Sequence, residues 1–276
     1  MFATVKNWFA GTPEQRLMRV LGEAPIPILR HSAMAVLTLL RDPEQGMPEI
    51  AKAVSQDAAL SVAVLRQANS PAAGLRRAVP NVQHAVSLLG RATLESIVVT
   101  EMVRDAVPTQ SAPGYQPQRF WAAASRRSNI ARELASILDP GNAMVASTAS
   151  LLQDIAVPLL VHRQRDHYAP VLQRWHSDGG DLSERERDTF GWDHSNVGEW
   201  LCKAWKLPVE LTELIGAHHS PETCSAPVAL VAALGEEPSD DDIDRLVTLG
   251  EQRCNTPPEV IIRALRLGDT PLEGAA

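Results

Sequence analysis

The sequence has few aromatic residues, with only two Tyr and four Phe among its 276 residues, and aromatic side chains make up 4% of the total. Strands favour aromatic and β-branched side chains, whereas Ala and Leu, which are abundant here, favour helices. The composition therefore predicts an almost entirely all-α protein. The chain is long enough to form one large domain or two closely packed lobes.

Paired cysteines and long apolar runs are also missing. The three cysteines, Cys202, Cys224 and Cys254, are odd in number and form no Cys-x-x-Cys pair, which excludes a disulfide framework and a zinc knuckle. No run approaches the roughly 20 apolar residues of a membrane span, and the apolar run at the N-terminus is too short for a signal peptide. We therefore expect a cytoplasmic protein with reduced thiols and no membrane insertion.

The chain has no excess of positive charge, since its formal net charge is -7 and its pI is near 5.6. Non-specific binding to nucleic acid depends on basic side chains that neutralise phosphates, so we expect no nucleic-acid partner. The basic pairs Arg76-Arg77 and Arg126-Arg127 are interpreted as parts of solvated helix faces.

Common catalytic motifs are absent as well. The sequence contains no Gly-x-Ser-x-Gly elbow, no Walker loop and no Gly-x-Gly-x-x-Gly fingerprint. No cysteine has an evident neighbouring base, so a thiol nucleophile has no support.

Capping residues and helix breakers divide the chain into short helices. Asp57 and Asp193 are predicted N-caps, Gly90 is predicted to break a long helix, and Ser183 with Glu186 forms a predicted capping box. Residues 105–118 contain three Pro and read as a linker between lobes. We predict an N-terminal helical extension over 1–24, a first helical lobe over 25–108, a second lobe over 119–235, and C-terminal helices packed on the body over 236–276.

Several motifs follow one another in an order and spacing that resemble the HDOD family, a bacterial signalling-output relative of the HD and HD-GYP phosphohydrolase superfamily. In the first half they are Pro25-Ile26-Pro27-Ile28-Leu29, the segment 50–60, Val64-Leu65-Arg66-Gln67-Ala68-Asn69-Ser70, Gly74-Leu75-Arg76 and the segment 82–90. In the second half they are the segment 151–160 (LLQDIAVPLL), the segment 190–198 (FGWDHSNVG), Trp205-Lys206-Leu207-Pro208 and Ala217-His218-His219-Ser220-Pro221. The resemblance covers about residues 25–235 and implies a two-lobe helical HDOD fold whose second lobe is a degenerate HD-type domain.

The resemblance also implies where a metal centre would lie. HD hydrolases use a first His, an adjacent His-Asp pair and a final Asp, and some members add further His ligands. Here Ala123 aligns with the first His, Gln153 replaces the His beside Asp154, and the run 228–234, where the final Asp is expected, contains no carboxylate. A neutral amide is a poor ligand for a transition metal, and without an ion there is no activated water. We therefore expect no enzyme activity, no catalytic residue, no bound metal and no cofactor.

The leading functional hypothesis is a non-catalytic regulatory module that acts by protein-protein interaction with a signalling partner in trans. An alternative is a metal-free sensor of a nucleotide messenger such as a cyclic dinucleotide, because arginine and imidazolium groups can hold phosphate oxygens. The vestigial pocket would contain Gln153, Asp154, His194, His218, His219, Arg126 and Arg127. A residual metal-dependent phosphodiesterase is the third hypothesis, and purely structural hydrogen bonds by the same polar groups are the simplest account. The sequence does not determine the oligomeric state.

Overall fold

The computed structural model describes residues 8–22, 25–73, 77–220, 222, 224–236, 238–254 and 256–268. Within these residues the regular elements are α-helices and two short 3-10 helices, with one isolated bridge between Ala112 and Tyr115. The all-α prediction is therefore confirmed. The motif at 74–76 and the N-terminal residues 1–7 lie outside the described residues, as does Pro221.

The chain divides into two compact units, one of residues 27–106 and a larger one of residues 1–26 and 107–276. The smaller unit contains α2 (His31–Arg41), α3 (Met47–Ser55), α4 (Ala58–Ala68) and α5 (Val82–Ala106). The larger unit contains α1 (Pro13–Leu21), α6 (Pro117–Leu138), α7 (Ala143–Leu152), α8 (Ala156–Arg163), α9 (Arg165–Asp178), α10 (Leu182–Phe190), α11 (His194–Ala204), α12 (Val209–Ala217), α13 (Ala226–Ala232), α14 (Asp240–Cys254) and α15 (Pro258–Gly268). The domain limits expected from the sequence remain predictions.

Asp57 links two helices of the smaller unit. Its carboxylate accepts the backbone N–H of Leu60 at 3.0 Å, which caps α4 as the sequence predicted. The same carboxylate accepts hydrogen bonds from Arg30 at 3.0 Å and from the Ser32 hydroxyl at 2.6 Å. This buried carboxylate therefore joins the start of α2 to the start of α4.

Gly90 interrupts α5 with a φ of +72°, a backbone conformation that residues with a Cβ rarely adopt. The helical segments before and after it are therefore separated by a kink, as predicted. Next to the kink, Arg91 donates from Nη1 to the backbone carbonyls of Leu40 and Asp42 at 2.8 and 3.1 Å. These bonds satisfy carbonyl groups at the C-terminal end of α2, where no further helical turn supplies N–H donors to them.

The core of the larger unit is built around α6. Small side chains allow α7 to approach α6 closely, and the Ser128 hydroxyl donates to the backbone carbonyl of Ser147 at 2.8 Å. On another face of α6, a cluster of apolar side chains joins it to α13, α14 and α15. Its members include Ile130, Leu134, Leu230, Val231, Leu246 and Ile261.

The segment before α1 packs on the helix that follows Trp192. The rings of Trp8 and Trp192 lie edge to face with centroids 6.4 Å apart, and those of Phe9 and Trp200 do the same at 5.6 Å. The Arg16 guanidinium lies 5.7 Å from the centre of the Trp200 ring. The described part of the N-terminal segment therefore belongs to the packing of the larger unit.

The region from Pro140 to Arg163 has a mean hydropathy of 1.6 and is long and apolar enough to span a membrane by composition alone. By this criterion of length and composition, the prediction that no apolar run is long enough to span a membrane was wrong. However, 78% of the apolar window is buried, and the region is divided between α7 and α8 by a turn at 153–155. Both features are typical of core helices, and the lack of membrane insertion remains a prediction.

Candidate functional site

The ends of three elements bring most of the predicted site residues together. Asp154 lies in the turn between α7 and α8, His194 is the first residue of α11, and His218 and His219 directly follow α12. Asp193 caps α11, as predicted, by accepting the backbone N–H of Asn196 at 3.1 Å, in a capping box that orients the first turn. The side chain of His194 therefore points into the larger unit and is 2% exposed.

Three imidazole nitrogens and one carboxylate oxygen converge at the centre of this cluster. His194 Nε2 lies 3.2 Å from His218 Nε2 and 2.9 Å from His219 Nε2. Oδ1 of Asp154 lies 3.3 Å from His194 Nε2 and 3.4 Å from His218 Nε2. We call these four residues the His-Asp cluster.

The far side of the His194 ring is held by Glu186, which is fully buried. Oε2 of Glu186 lies 2.6 Å from His194 Nδ1 and also accepts the His194 backbone N–H at 2.8 Å. The Tyr168 hydroxyl donates to the other oxygen of Glu186. The prediction that Ser183 and Glu186 form a capping box was wrong. Asp181 caps α10, and the Glu186 side chain is buried in the core.

The rings of His218 and His219 are held differently from each other. His218 Nδ1 lies 2.7 Å from the backbone carbonyl oxygen of Ile215, which can only accept a hydrogen bond, so Nδ1 carries the proton. In a neutral ring, His218 Nε2 then presents a lone pair to the cluster. His219 is the most exposed of the three rings at 14%, and its Nδ1 is 3.9 Å from Asp181.

The second oxygen of Asp154 is bound by Arg127. Nη2 of Arg127 lies 2.6 Å from Oδ2, and Nη1 donates to the backbone carbonyl of Leu234 at 3.2 Å. Arg127 is 5% exposed, so the interpretation of the Arg126-Arg127 pair as a solvated face was wrong for this residue. Arg126 instead donates to the backbone carbonyl of Glu236 at 3.2 Å, and Arg77 of the other basic pair is exposed.

Neighbouring charges change the pKa values of the cluster. Burial raises the pKa of Asp154, but Arg127 and hydrogen bonds from the histidines outweigh it and hold that pKa well below its usual value. Burial lowers the pKa of His194, but Glu186 and Asp154 outweigh it and raise that pKa well above the usual value. Burial and the two neighbouring imidazoles lower the pKa of His219 well below the usual value. Their neighbours therefore favour a proton on His194 and disfavour one on His219.

Gln153 and Ala123 supply no ligand to the cluster. Gln153 is 1% exposed, and its Oε1 has no hydrogen-bond partner among the described residues. Ala123, also buried, lies one helical turn before Arg127 on α6. The resemblance implies a histidine at each of these positions, but Ala123 is apolar and Gln153 has a neutral amide.

Three members of the cluster, Asp154, His194 and His219, line a cleft of about 940 Å³ in the larger unit. Of the predicted residues, Arg127, Asp154, His194 and His219 line it, whereas Gln153, His218 and Arg126 do not. Trp175, His176, Tyr115, Arg119, Glu236 and Arg245 are among the residues that line the rest of the cleft. Burial raises the pKa of Glu236 despite its basic neighbours. The lining is therefore mixed in charge, with aromatic rings beside the polar groups.

Sequence reasoning missed Glu186 and Tyr168, the residues that support His194. A signal was present for Glu186, since a carboxylate eight residues before His194 can be brought beside it by a turn between two short helices. The local Ser-x-x-Glu pattern concealed this role because it also predicts a capping box.

The helices and the His-Asp cluster define a helical protein of the HD type. Residues 26–221 match the HDOD domain family, and the chain belongs to this family. Its fold is similar to that of an HDOD domain protein with unknown function from Geobacter sulfurreducens, at 23% identity over 95% of this chain and 89% of that chain, with a TM-score of 0.67. A comparison with curated proteins finds no match.

Two further solved structures show the same fold. One is a candidate phosphohydrolase from Shewanella amazonensis, at 24% identity over 91% of this chain and 93% of that chain, with a TM-score of 0.71. The other is a candidate signal transduction protein from Marinobacter aquaeolei, at 22% identity over 95% of this chain and 62% of that chain, with a TM-score of 0.63. At these identities the similarity concerns the fold.

Proposed function

We propose that this protein is a non-catalytic HDOD module that acts in bacterial signalling by binding a partner protein in trans. The observation that carries the proposal is the buried ion pair between Arg127 and Asp154. Nη2 of Arg127 lies 2.6 Å from Oδ2 of Asp154, the carboxylate oxygen that does not face the histidines. That oxygen is therefore not free to bridge a second ion.

Metal-dependent hydrolysis needs an ion with an open position for water, and centres with two ions use bridging ligands to place both. Ala123 and Gln153 provide no imidazole beside Asp154, and α13 provides no carboxylate. A guanidinium neutralises Asp154 but does not lower the pKa of a water molecule as a metal ion does. The HD-type centre is therefore replaced by an internal ion pair.

Support for a signalling role comes from the family. The HDOD resemblance implies a signalling output, and one relative of the same fold is described as a candidate signal transduction protein. A module without a hydrolytic centre transmits a signal by changing what it binds. A partner protein is the simplest recipient of that change.

The catalytic part of the proposal is tested by assaying the purified protein on a chromogenic phosphodiester and on cyclic dinucleotides, with manganese, iron or zinc added. We expect turnover no higher than that of an Asp154→Asn variant. Turnover that disappears in Asp154→Asn would support the phosphodiesterase hypothesis instead. The binding part is tested by quantitative cross-linking in cells with a tagged chain and a tag-only control. We expect reproducible enrichment of a signalling protein, and its absence would contradict the proposal.

A second candidate function is the sensing of a phosphate-bearing nucleotide in the cleft. Ligand sites commonly have volumes of about 300 to 1,000 Å³, and this cleft falls in that range at about 940 Å³. Its lining includes the arginines Arg119, Arg127 and Arg245. Guanidinium groups bind phosphate oxygens through charge-assisted hydrogen bonds.

Calorimetry with a panel of mononucleotides and cyclic dinucleotides tests this function. We expect nucleotide binding to be lost in Arg127→Ala and retained in Arg126→Ala, because Arg127 lines the cleft and Arg126 does not. No heat with any nucleotide, or equal losses in the two variants, would rule out this use of the cleft.

A further inference from the structure

We infer that residues 8–21, here called the N-terminal strap, form a regulatory element that controls the position of His194 in the cleft by holding the start of α11. The strap consists of a short non-helical stretch from Trp8 to Thr12 and of α1. It precedes residues 26–221, which match the HDOD family, so the family match assigns it no role. The inference goes beyond the proposed function, because it concerns how the cleft is controlled and not what the cleft binds.

The strap covers two tryptophan rings, one just before α11 and one within it. Trp8 contacts Trp192 and Phe9 contacts Trp200, and the two covered rings are only 3% and 1% exposed. Trp8 also lies close to the backbone of Gly191, since a Cβ added there would be 3.6 Å from the Trp8 ring. The strap therefore contacts the loop that leads into α11.

A continuous series of contacts leads from this loop to His194. The ring of Trp192 stacks on that of Phe190 with centroids 4.8 Å apart, and Phe190 stacks on Tyr168 at 6.1 Å. The Tyr168 hydroxyl donates to Glu186, which holds both the backbone and the ring of His194. Closely packed side chains do not deform continuously, so a shift at one end of the series displaces the other end. The strap and the His-Asp cluster are therefore linked through one loop.

The two parts of the strap are held with different strength. The apolar side chains of Leu17 and Val20 anchor α1 and are at most 1% exposed, whereas Phe9 is 48% exposed and Trp8 is partly exposed. Arg19 donates to the Trp8 backbone carbonyl at 3.1 Å, but this hydrogen bond is exposed to water. Segments with few buried apolar contacts and exposed hydrogen bonds open at a lower free energy than the core. The stretch before α1 can therefore leave its seat while α1 stays docked.

The seat of the strap also contains a donor that gains from release. Trp192 Nε1 is buried without a hydrogen-bond partner among the described residues, although a buried indole N–H usually has one. Departure of Trp8 admits water to this donor, which offsets part of the cost of exposing the rings. The docked and released states then form the two-state element that regulation requires. A partner that binds Trp8 and Phe9 favours release, and a ligand that needs an ordered His194 favours docking.

The test measures amide hydrogen exchange of the full chain by mass spectrometry, together with the imidazole signals of isotope-labelled histidines by NMR. When Trp8→Ala is combined with Phe9→Ala, we expect the first turn of α11 to exchange about tenfold faster while α6 keeps its protection. The His194 signal should shift, and that of His176, which lines the cleft outside the series of contacts, should not. Met18→Ala is the matched control, because Met18 is 60% exposed on the same strap, and it should change neither reading.

Unchanged exchange in the first turn of α11, or an unchanged His194 signal, in the folded double variant would overturn the inference. Equal acceleration in α6 and α11 would also overturn it, because it would indicate a general loss of stability. If the double variant does not fold by circular dichroism, Phe9→Ala alone replaces it, since Phe9 is the more exposed of the two rings.

Coupling between two sites is reciprocal, so a change at the cluster end must loosen the strap. Tyr168→Phe removes the hydroxyl that holds Glu186, and we expect the Trp8 indole N–H to exchange with water about fivefold faster. Tyr115→Phe is the control, because it removes the same hydroxyl from a residue of the same cleft that lies outside the series of contacts. No effect of Tyr168→Phe, or equal effects of the two variants, would refute the coupling.

Discussion

Glu186 accepts two hydrogen bonds from His194, one from the backbone N–H at 2.8 Å and one from Nδ1 at 2.6 Å. The carboxylate thereby fixes both the start of α11 and the direction of the imidazole ring. Glu186 is fully buried, and a buried charge is tolerated only when it is paired and hydrogen-bonded. The contact is therefore a condition for the geometry of the whole His-Asp cluster.

Replacing Glu186 with Ala should destabilise the protein strongly, because the substitution leaves a buried imidazole without its partner. Removing one member of a buried pair typically costs about 3 to 5 kcal/mol. Urea unfolding followed by circular dichroism measures the change. Glu184→Ala on the same helix is the control, since Glu184 is exposed, and its effect should stay within about 0.5 kcal/mol. Similar losses in both variants would contradict the role assigned to Glu186.

Arg127 and Asp154 should show a coupling free energy in a double-mutant cycle. Arg127→Ala leaves a buried carboxylate without its main counter-charge, and Asp154→Asn removes the charge that Arg127 neutralises. Residues in direct contact commonly couple by about 0.5 to 3 kcal/mol. We expect the double variant to be more stable than the sum of the two single losses implies. Additive losses, within about 0.5 kcal/mol, would mean that the ion pair contributes little.

The stability of the smaller unit should depend on pH through Asp57. Burial raises the pKa of Asp57, but hydrogen bonds from Ser32 and the Leu60 backbone, together with Arg30, outweigh it and lower the pKa below the ordinary value of 3.8. A lowered folded-state pKa stabilises the fold above the unfolded pKa and loses this effect as the pH falls through the folded pKa.

The measurement compares wild type with Asp57→Asn, which keeps a capping side chain but has no charge. Unfolding free energies from pH 7 down to pH 3 should differ by a constant amount above about pH 5, and the difference should shrink below about pH 4. A difference that grows on acidification would have the wrong sign and would reject the assignment.

Gly90→Ala should destabilise the smaller unit, because an L-residue at a φ of +72° is strained by about 1 to 2 kcal/mol. An added Cβ would meet no heavy atom within 4 Å, so the loss would be conformational and not steric. Gly141→Ala is the control, since that Cβ also meets no heavy atom within 4 Å and Gly141 is not among the glycines with positive φ. Thermal unfolding of the two variants measures the difference, and equal melting temperatures would contradict the prediction.

Local sequence patterns predicted much of the fold. Helical periodicity and low aromatic content indicated an all-α chain, and the order of motifs indicated the HDOD family, which the match over 26–221 confirms. Asp57 and Asp193 were correctly predicted as N-caps and Gly90 as a helix break. The two N-caps and the helix break depend on residues within three or four positions of one another, so the sequence alone determines them.

Tertiary packing decided which polar groups meet. The sequence named Asp154, His194, His218 and His219, but their convergence depends on how the turn after α7 packs against the ends of α11 and α12. Gln153, named in the same set, is buried next to Asp154 but contributes no atom to the His-Asp cluster.

Arg126 and Arg127 illustrate the limit of local reasoning most clearly. They are adjacent in sequence, yet Arg127 is buried against Asp154 while Arg126 reaches the carbonyl of Glu236. Adjacent helical residues point about 100° apart, so the face that each occupies is set by the helices packed around α6. The sequence therefore determined the elements and their candidate ligands. Only tertiary packing decided that the Arg127 guanidinium would bind Asp154 and that Glu186 would hold His194, because each contact joins residues of different structural elements.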